Sequence, residues 1–311
     1  MDKFDQAILR FKTASEISLQ VYEKPLIITD SGGKDSSALV DLAIKAKIPI
    51  EIQHSHTTAD APETVRFVRK KFYKLECDGH NVQINQPRYK GEPTSMWKLI
   101  PPKLFPPTRL VRYCCEVLKE QSGANRMIAT GIRWAESAKR KNGRGIYETL
   151  SNKKQNQIIL SNDNDDRRQL FENCQLKAKR TVNPIIDWSD KEVWDYINVE
   201  QVQVNPLYGC GFARVGCVGC PLSSQKNRKR EFNYFPKFKQ MYIETFDRMI
   251  AERKRRDTKG NATWANGNEV FLWWTDDKNL DGQLDWFSGL NTDTTEYKQH
   301  LLGSTSSALG S

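Results

Sequence analysis

Two groups of residues in this 311-residue chain have the types and spacing to do chemistry. The first is Ser31-Gly32-Gly33-Lys34-Asp35-Ser36, which follows the apolar run Leu26-Ile27-Ile28-Thr29 and opens an amphipathic stretch over residues 38–44. A strand, a glycine turn and a helix start in that order aim backbone N–H groups and the positive end of a helix dipole at one point, where phosphate binds. Two glycines allow close backbone approach, Ser31 and Ser36 supply hydroxyl donors, and Lys34 supplies a mobile positive charge. Asp35 suits a helix cap or a Mg²⁺ ligand better than contact with a phosphate oxygen. The bland alternative is a glycine turn with a polar N-cap. A Walker A loop is excluded, because Ile28 stands where its first glycine belongs.

The second group is sulfur. Seven cysteines, Cys77, Cys114, Cys115, Cys174, Cys210, Cys217 and Cys220, are badly arranged for disulfides, and clustered cysteines of this kind more often hold a metal or do redox chemistry. Soft thiolates suit an iron–sulfur centre; zinc and unligated buried thiols are the alternatives. Adjacent cysteines share a tetrahedral zinc poorly, but on a helix they can ligate two irons of one cluster.

The elements that must position these groups follow from periodicity. Apolar residues at helical spacing over residues 4–23 predict a leading helix, and apolar runs at 26–29, 48–54, 82–84 and 127–132 predict strands separated by helices. That order implies parallel pairing with right-handed crossovers, hence an α/β fold with a doubly wound, mostly parallel sheet and its ligand site at the carboxyl ends of the strands. Six prolines between residues 87 and 108 predict a site-flanking loop without regular structure, and the polar tract at 151–168 a solvated insertion. Ser189-Asp190-Lys191-Glu192 reads as a capping box opening a helix, and residues 236–256 as a long helix. The expected organisation is a nucleotide-binding domain over 1–200, a smaller helical, cysteine-bearing region over 201–302, and a disordered Gly/Ser/Thr-rich tail over 303–311.

The formal charge of +10 is concentrated in basic clusters at Arg66–Lys74, Lys139–Arg144, Lys226–Arg230 and Arg253–Arg256, a field that attracts nucleotide phosphates or nucleic acid, with solvated helix faces as the alternative. No apolar stretch approaches a membrane span and the N-terminus lacks a signal-peptide core, so a cytoplasmic location is expected.

Four stretches carry a family resemblance. Ser31-Gly32-Gly33-Lys34-Asp35-Ser36 resembles the PP-motif, S-G-G-x-D-S, of the N-type ATP pyrophosphatase superfamily. Residues 56–64, with Pro62-Glu63-Thr64, resemble the P-E-T segment of the phosphoadenosine phosphosulfate (PAPS) reductase family within it, and residues 131–140, from Gly131-Ile132-Arg133 to Arg140, resemble that family's G-I-R-x-x-E-S-x-x-R. Pro184-Ile185-Ile186-Asp187-Trp188-Ser189 with Asn205-Pro206-Leu207-Tyr208 is similar to its later segment, so that the likeness covers about residues 20–250. The resemblance implies an adenine nucleotide alpha hydrolase-like fold that cleaves ATP, with Mg²⁺, between its α- and β-phosphates. Ser31, Gly32, Gly33, Lys34, Asp35, Ser36 and Gly131 would then hold the nucleotide, and Lys34, Asp35, Arg133 and Arg140 would act on it. The pair Cys114-Cys115 with Cys217-Val218-Gly219-Cys220 resembles the [4Fe-4S] pattern of the family's iron–sulfur members; Cys210 could replace one of the pair, and Cys77 and Cys174 fit no motif.

PAPS and adenylylsulfate reductases attack sulfur with a cysteine near the C-terminus, and no cysteine follows Cys220 in this sequence. Together with an ATP-type loop, this looks like the ATP pyrophosphatase component of DNA phosphorothioation systems. The expectation is adenylation of an acceptor, DNA or RNA, for sulfur incorporation, with a cysteine desulfurase or other sulfur-transfer protein as partner. A thiol-dependent PAPS or adenylylsulfate reductase and a non-catalytic nucleic-acid-binding regulator are the alternatives.

Overall fold

The computed structural model describes residues 2–119, 123, 125–150, 158–160, 179–256 and 264–276. These fall into two compact units, one formed by Met1–Met96 with Tyr113–Val218 and the other by Trp97–Arg112 with Gly219–Ser311. The first unit thus continues past the expected boundary at residue 200 as far as Val218.

The first unit is built on a seven-stranded sheet. Its strands are β1 (Leu26–Thr29), β2 (Ile50–Ser55), β3 (Asn81–Asn85), β6 (Met127–Ala129), β7 (Tyr147–Leu150), β8 (Ile158–Leu160) and β9 (Lys179–Val182), in spatial order β3-β2-β1-β6-β9-β7-β8. From β3 to β9 neighbouring strands run parallel, and β7 and β8 add an antiparallel edge. Leu26, Ile27 and Ile28 of β1 are all buried, as a continuous apolar run must be when helices cover both faces of a parallel strand. The chain winds from β1 to β2 and β3 on one side, then returns to place β6 on the other. The loops leaving β1 and β6 therefore part at a topological switch point, where α/β sheets bind ligands.

Helix α1 (Lys3–Tyr22) buries Ala7, Phe11, Ala14 and Ile17, a single stripe at helical spacing. Helix α2 (Lys34–Lys45) follows the glycine loop directly, and α3 (Pro62–Cys77) has its proline in the first turn, where a missing N–H costs nothing. The helix predicted after Ser189 is α7 (Asp190–Val199), with both halves of its capping box formed. Two short helices, α5 (Tyr113–Leu118) and α6 (Ala138–Gly143), also belong to this unit.

Three expectations are corrected. The strand expected over 127–132 stops at Ala129, because Gly131 turns toward the backbone of α2. The proline-rich stretch is not irregular: it holds a hairpin of β4 (Arg88–Tyr89) with β5 (Glu92–Pro93) and helix α4 (Met96–Lys103), whose interior contains Pro101 and Pro102. Those prolines remove two helical N–H donors, and burial of Leu99 and Ile100, both 0% exposed, holds the helix instead. Within the tract 151–168, residues 158–160 are the edge strand β8, and the remainder, like the tail at 303–311, lies outside the described residues.

The second unit packs α8 (Gln225–Tyr234), α9 (Pro236–Arg255) and α10 (Gly267–Thr275) around Phe232, Tyr242, Phe246, Phe271 and Trp274. Gly267 lets α10 touch α9: a Cβ there would meet the Ile243 carbonyl oxygen at 2.1 Å. Among the described residues no helix is long and apolar enough to cross a membrane.

Candidate functional site: a phosphate loop and its paired charges

The glycine loop is drawn tight by a residue just before it. Asp30, 2% exposed, accepts the Gly32 N–H at 2.8 Å and the Ser36 hydroxyl at 3.0 Å on one carboxylate oxygen, and the Lys71 ammonium at 2.6 Å on the other. Burial pushes this carboxyl up, but the Lys71 charge and the bonds from Lys71 and Gly32 outweigh it and hold it below the ordinary carboxylate range. Gly32 takes φ +76°, and a Cβ there would lie 2.9 Å from both Thr64 and Val68 side chains, so the turn needs glycine. On the far side Asn205, fully buried, donates to the Gly32 carbonyl at 3.2 Å and to Thr64 at 2.9 Å. The Tyr208 hydroxyl accepts the Lys34 N–H at 2.9 Å, and burial raises that phenol to about 12, so it stays neutral.

The charged residues of the loop are fixed in place. Lys34, expected to be mobile, is 5% exposed; its ammonium lies 3.0 Å from Asp35 and 2.8 Å from Asp190. Arg133, 2% exposed, sends Nε to Asp35 at 2.7 Å, one terminal nitrogen to Asp190 at 2.8 Å and the other to the Trp188 carbonyl at 3.2 Å. Two cations and two carboxylates thus alternate at the start of α2, with Asp190 held below its usual range by the bonds from Lys34 and Arg133 against a burial cost. Asp35 is an ion-pair partner rather than the cap of α2, whose N-cap is Gly33 without a side-chain bond. Gly131 closes the arrangement, since a Cβ there would stand 3.2 Å from the Asp35 carbonyl carbon. The two serines meet: Ser31, exposed, donates to the buried Ser36 at 3.1 Å, and the Ser36 hydroxyl also lies 2.9 Å from the Gly33 carbonyl.

Of the residues singled out from sequence, Ser31, Gly32, Gly33, Lys34, Asp35, Ser36, Gly131 and Arg133 come together here. Arg140 instead pairs with Glu136 four residues earlier. Cys114 and Cys115 lie on α5, the first buried and the second half-buried. Cys217, buried, bridges to Asp60, with its sulfur 3.3 Å from the Thr57 hydroxyl, while Cys220 belongs to the second unit. Cys77 and Cys210 are exposed thiols, and Cys174 lies outside the described residues. Sequence reasoning passed over Asp30, Lys71, Asp190 and Asn205 as site residues. Asp30 carries a local signal for this role, an Asx residue two before a glycine N–H, whereas Asn205, Asp190 and Lys71 stand in stretches that read as a family segment, a capping box and a basic cluster.

The charge clusters are partly structural. Lys71 anchors Asp30, Arg228 donates to the Trp274 carbonyl at 2.9 Å, and Arg253 donates to the Leu104 carbonyl at 2.8 Å. Arg255 and Arg256 share Glu252.

The profile of the phosphoadenosine phosphosulfate reductase domain matches residues 25–223. An uncharacterized protein of Methanocaldococcus jannaschii is 29% identical over 232 residues, 72% of this chain and 46% of that protein; the chain spans less than half the length of this curated relative. An adenosine 5'-phosphosulfate reductase of Bacillus cereus is 25% identical over 215 residues, 65% of this chain and 75% of the enzyme. Among solved structures, a PAPS reductase from Candida auris in a phosphate complex aligns with a TM-score of 0.40 at 16% identity, covering 66% of this chain and 87% of that one. A U34-tRNA thiolase from Methanococcus maripaludis, solved with its [4Fe-4S] cluster, aligns with a TM-score of 0.38 at 12% identity, covering 80% of each chain.

Proposed function

Because the chain belongs to the phosphoadenosine phosphosulfate reductase domain family, we propose that it is an ATP pyrophosphatase that adenylates an acceptor, a nucleic acid, as the first step of sulfur incorporation. One observation carries the reading: Lys34 and Arg133 are held beside the start of α2, each bonded to Asp35 and Asp190. A triphosphate offers those cations stronger partners than the two carboxylates, and its arrival releases Asp35 and Asp190 toward a metal. Lys34, the loop amides and the Ser31 and Ser36 hydroxyls would hold the phosphates, and Arg133 would stabilise charge developing on the adenylyl side. Mg²⁺, bound through Asp35 and Asp190, would neutralise the pyrophosphate leaving group. Arg140 would reach the nucleotide only by leaving Glu136.

The donor set for a cluster is four thiols. Cys114, Cys115, Cys217 and Cys220 have the ligand type that a [4Fe-4S] centre takes, and such a centre would carry sulfur to the activated acceptor or fix the segment that holds it. A cysteine desulfurase would then supply the sulfur.

Adenylylsulfate reduction is the second reading, favoured by the relative in Bacillus cereus. Anaerobic protein supplied with ATP, PAPS or adenylylsulfate in separate reactions distinguishes them. Pyrophosphate from ATP is expected. Sulfite from either sulfated nucleotide, without pyrophosphate from ATP, would establish the reductase instead, and retention of DNA or RNA with neither product would leave a binding regulator.

A further inference from the structure

Two of the four histidines of the sequence sit two residues apart at the end of β2, outside the phosphate loop. Residues at i and i+2 of an extended chain share a face, so His54 and His56 point the same way. The turn that follows brings Asp60 to them: its carboxylate accepts the Thr57 N–H at 2.8 Å and lies 3.5 Å from Nδ1 of His56. Each of His54, His56 and Asp60 offers one ligand atom, and those three atoms all lie within 4.8 Å of one another.

The chemistry of His54 is set by its surroundings. Its Nδ1 is 2.7 Å from the Asp30 carbonyl oxygen, which can only accept, so Nδ1 carries the proton and Nε2 keeps its lone pair. A backbone carbonyl fixing the far nitrogen is the outer-shell arrangement that metal-bound histidines use. Phe72 packs edge-on to the ring and restricts its rotation.

We propose that His54, His56 and Asp60 form a mononuclear site for a divalent transition metal of the zinc and iron(II) class, with at least one coordination position open. Two imidazoles and one carboxylate suit those ions better than Mg²⁺ or Ca²⁺, which take oxygen ligands. Three protein ligands leave room for water or another small ligand. The site is linked to the phosphate loop through one residue, because Asp30 gives its carbonyl to His54 and its carboxylate to Gly32 and Ser36. This inference does not rest on the proposed ATP chemistry: none of the three ligands belongs to the phosphate loop or to the proposed cluster.

The test is metal stoichiometry. Untagged full-length protein is stripped with chelator, given zinc alone, dialysed and analysed for bound metal. Wild type, Cys220→Ser, His56→Ala and Asp60→Asn are compared, with cobalt(II) absorption as a second readout. His56 is 23% exposed at its side chain, so His56→Ala tests the site with little demand on folding, and Asp60→Asn keeps the shape of the carboxylate. The expected result is a zinc equivalent present in wild type and Cys220→Ser but lost in His56→Ala and Asp60→Asn, together with loss of the cobalt d–d bands in those two variants. Equal zinc in all four proteins, or a cobalt spectrum unchanged by His56→Ala, would overturn the proposal whatever the protein does with ATP.

Discussion

Asp30 is the residue on which the phosphate loop hangs, because one buried carboxylate satisfies a loop amide, a loop hydroxyl and a lysine from another helix. Asp30→Asn leaves the Lys71 ammonium without its counter-charge, and breaking a buried pair from one side costs about 3–5 kcal/mol, which urea unfolding would register. The pH dependence follows from the depressed carboxyl. Its stabilisation is complete above the unfolded value of about 4 and is lost as pH falls through the lower folded value, so wild type should weaken in acid below about pH 4 while Asp30→Asn shows a flatter profile there. Arg133 answers to a different test. Lysine cannot reproduce a fork that reaches Asp35, Asp190 and the Trp188 carbonyl together, so Arg133→Lys should lower pyrophosphate release by roughly 10²-fold and, with a buried partner left unpaired, cost about 1–3 kcal/mol of stability. Tyr208→Phe removes the acceptor of the Lys34 amide. It should cost about 1 kcal/mol of stability and, if phosphate takes that amide in the bound state, leave ATP binding unweakened.

At the scale of elements, the site exists because the chain leaving β6 is pressed against the first turn of α2. Gly131→Ala would drive a methyl to 3.2 Å from the Asp35 carbonyl carbon, and backbone cannot swing aside as a side chain does. The expected outcome is a loss of about 1–3 kcal/mol in thermal or chemical unfolding, with weaker ATP binding by calorimetry. What sequence reveals here is what local rules write. The apolar run of β1 followed by glycines and a hydroxyl-rich helix start is local, and so is the Ser189–Glu192 capping box; both are found as read. The helix over Pro101 and Pro102 is not legible, because burial of Leu99 and Ile100 overrides a propensity that forbids it. Nor are Asp190, Asn205 and Tyr208 legible as loop partners, since each reaches the loop from more than 150 residues away in the chain, through pairings that only the folded sheet defines.

Across the whole molecule, the net charge overstates the surface available to a polyanion. Lys71, Arg228 and Arg253 are consumed by internal bonds, whereas Arg66, Arg69 and Lys70 on α3 are exposed. If nucleic acid is the acceptor, replacing those three exposed residues with alanine should weaken binding and reduce the salt slope by about one for each phosphate no longer neutralised, without altering the unfolding transition. The sheet order sets a topological switch point between β1 and β6, and it lies within residues 25–223, the span of the family match. The most direct measurement follows ATP labelled at its α-phosphate, with Mg²⁺ and no oxygen, in wild type and Lys34→Ala. An adenylating pyrophosphatase yields AMP or an adenylylated acceptor together with an equal amount of pyrophosphate from wild type, and neither from Lys34→Ala. Release of ADP and phosphate, or equal pyrophosphate from both proteins, would contradict that activity.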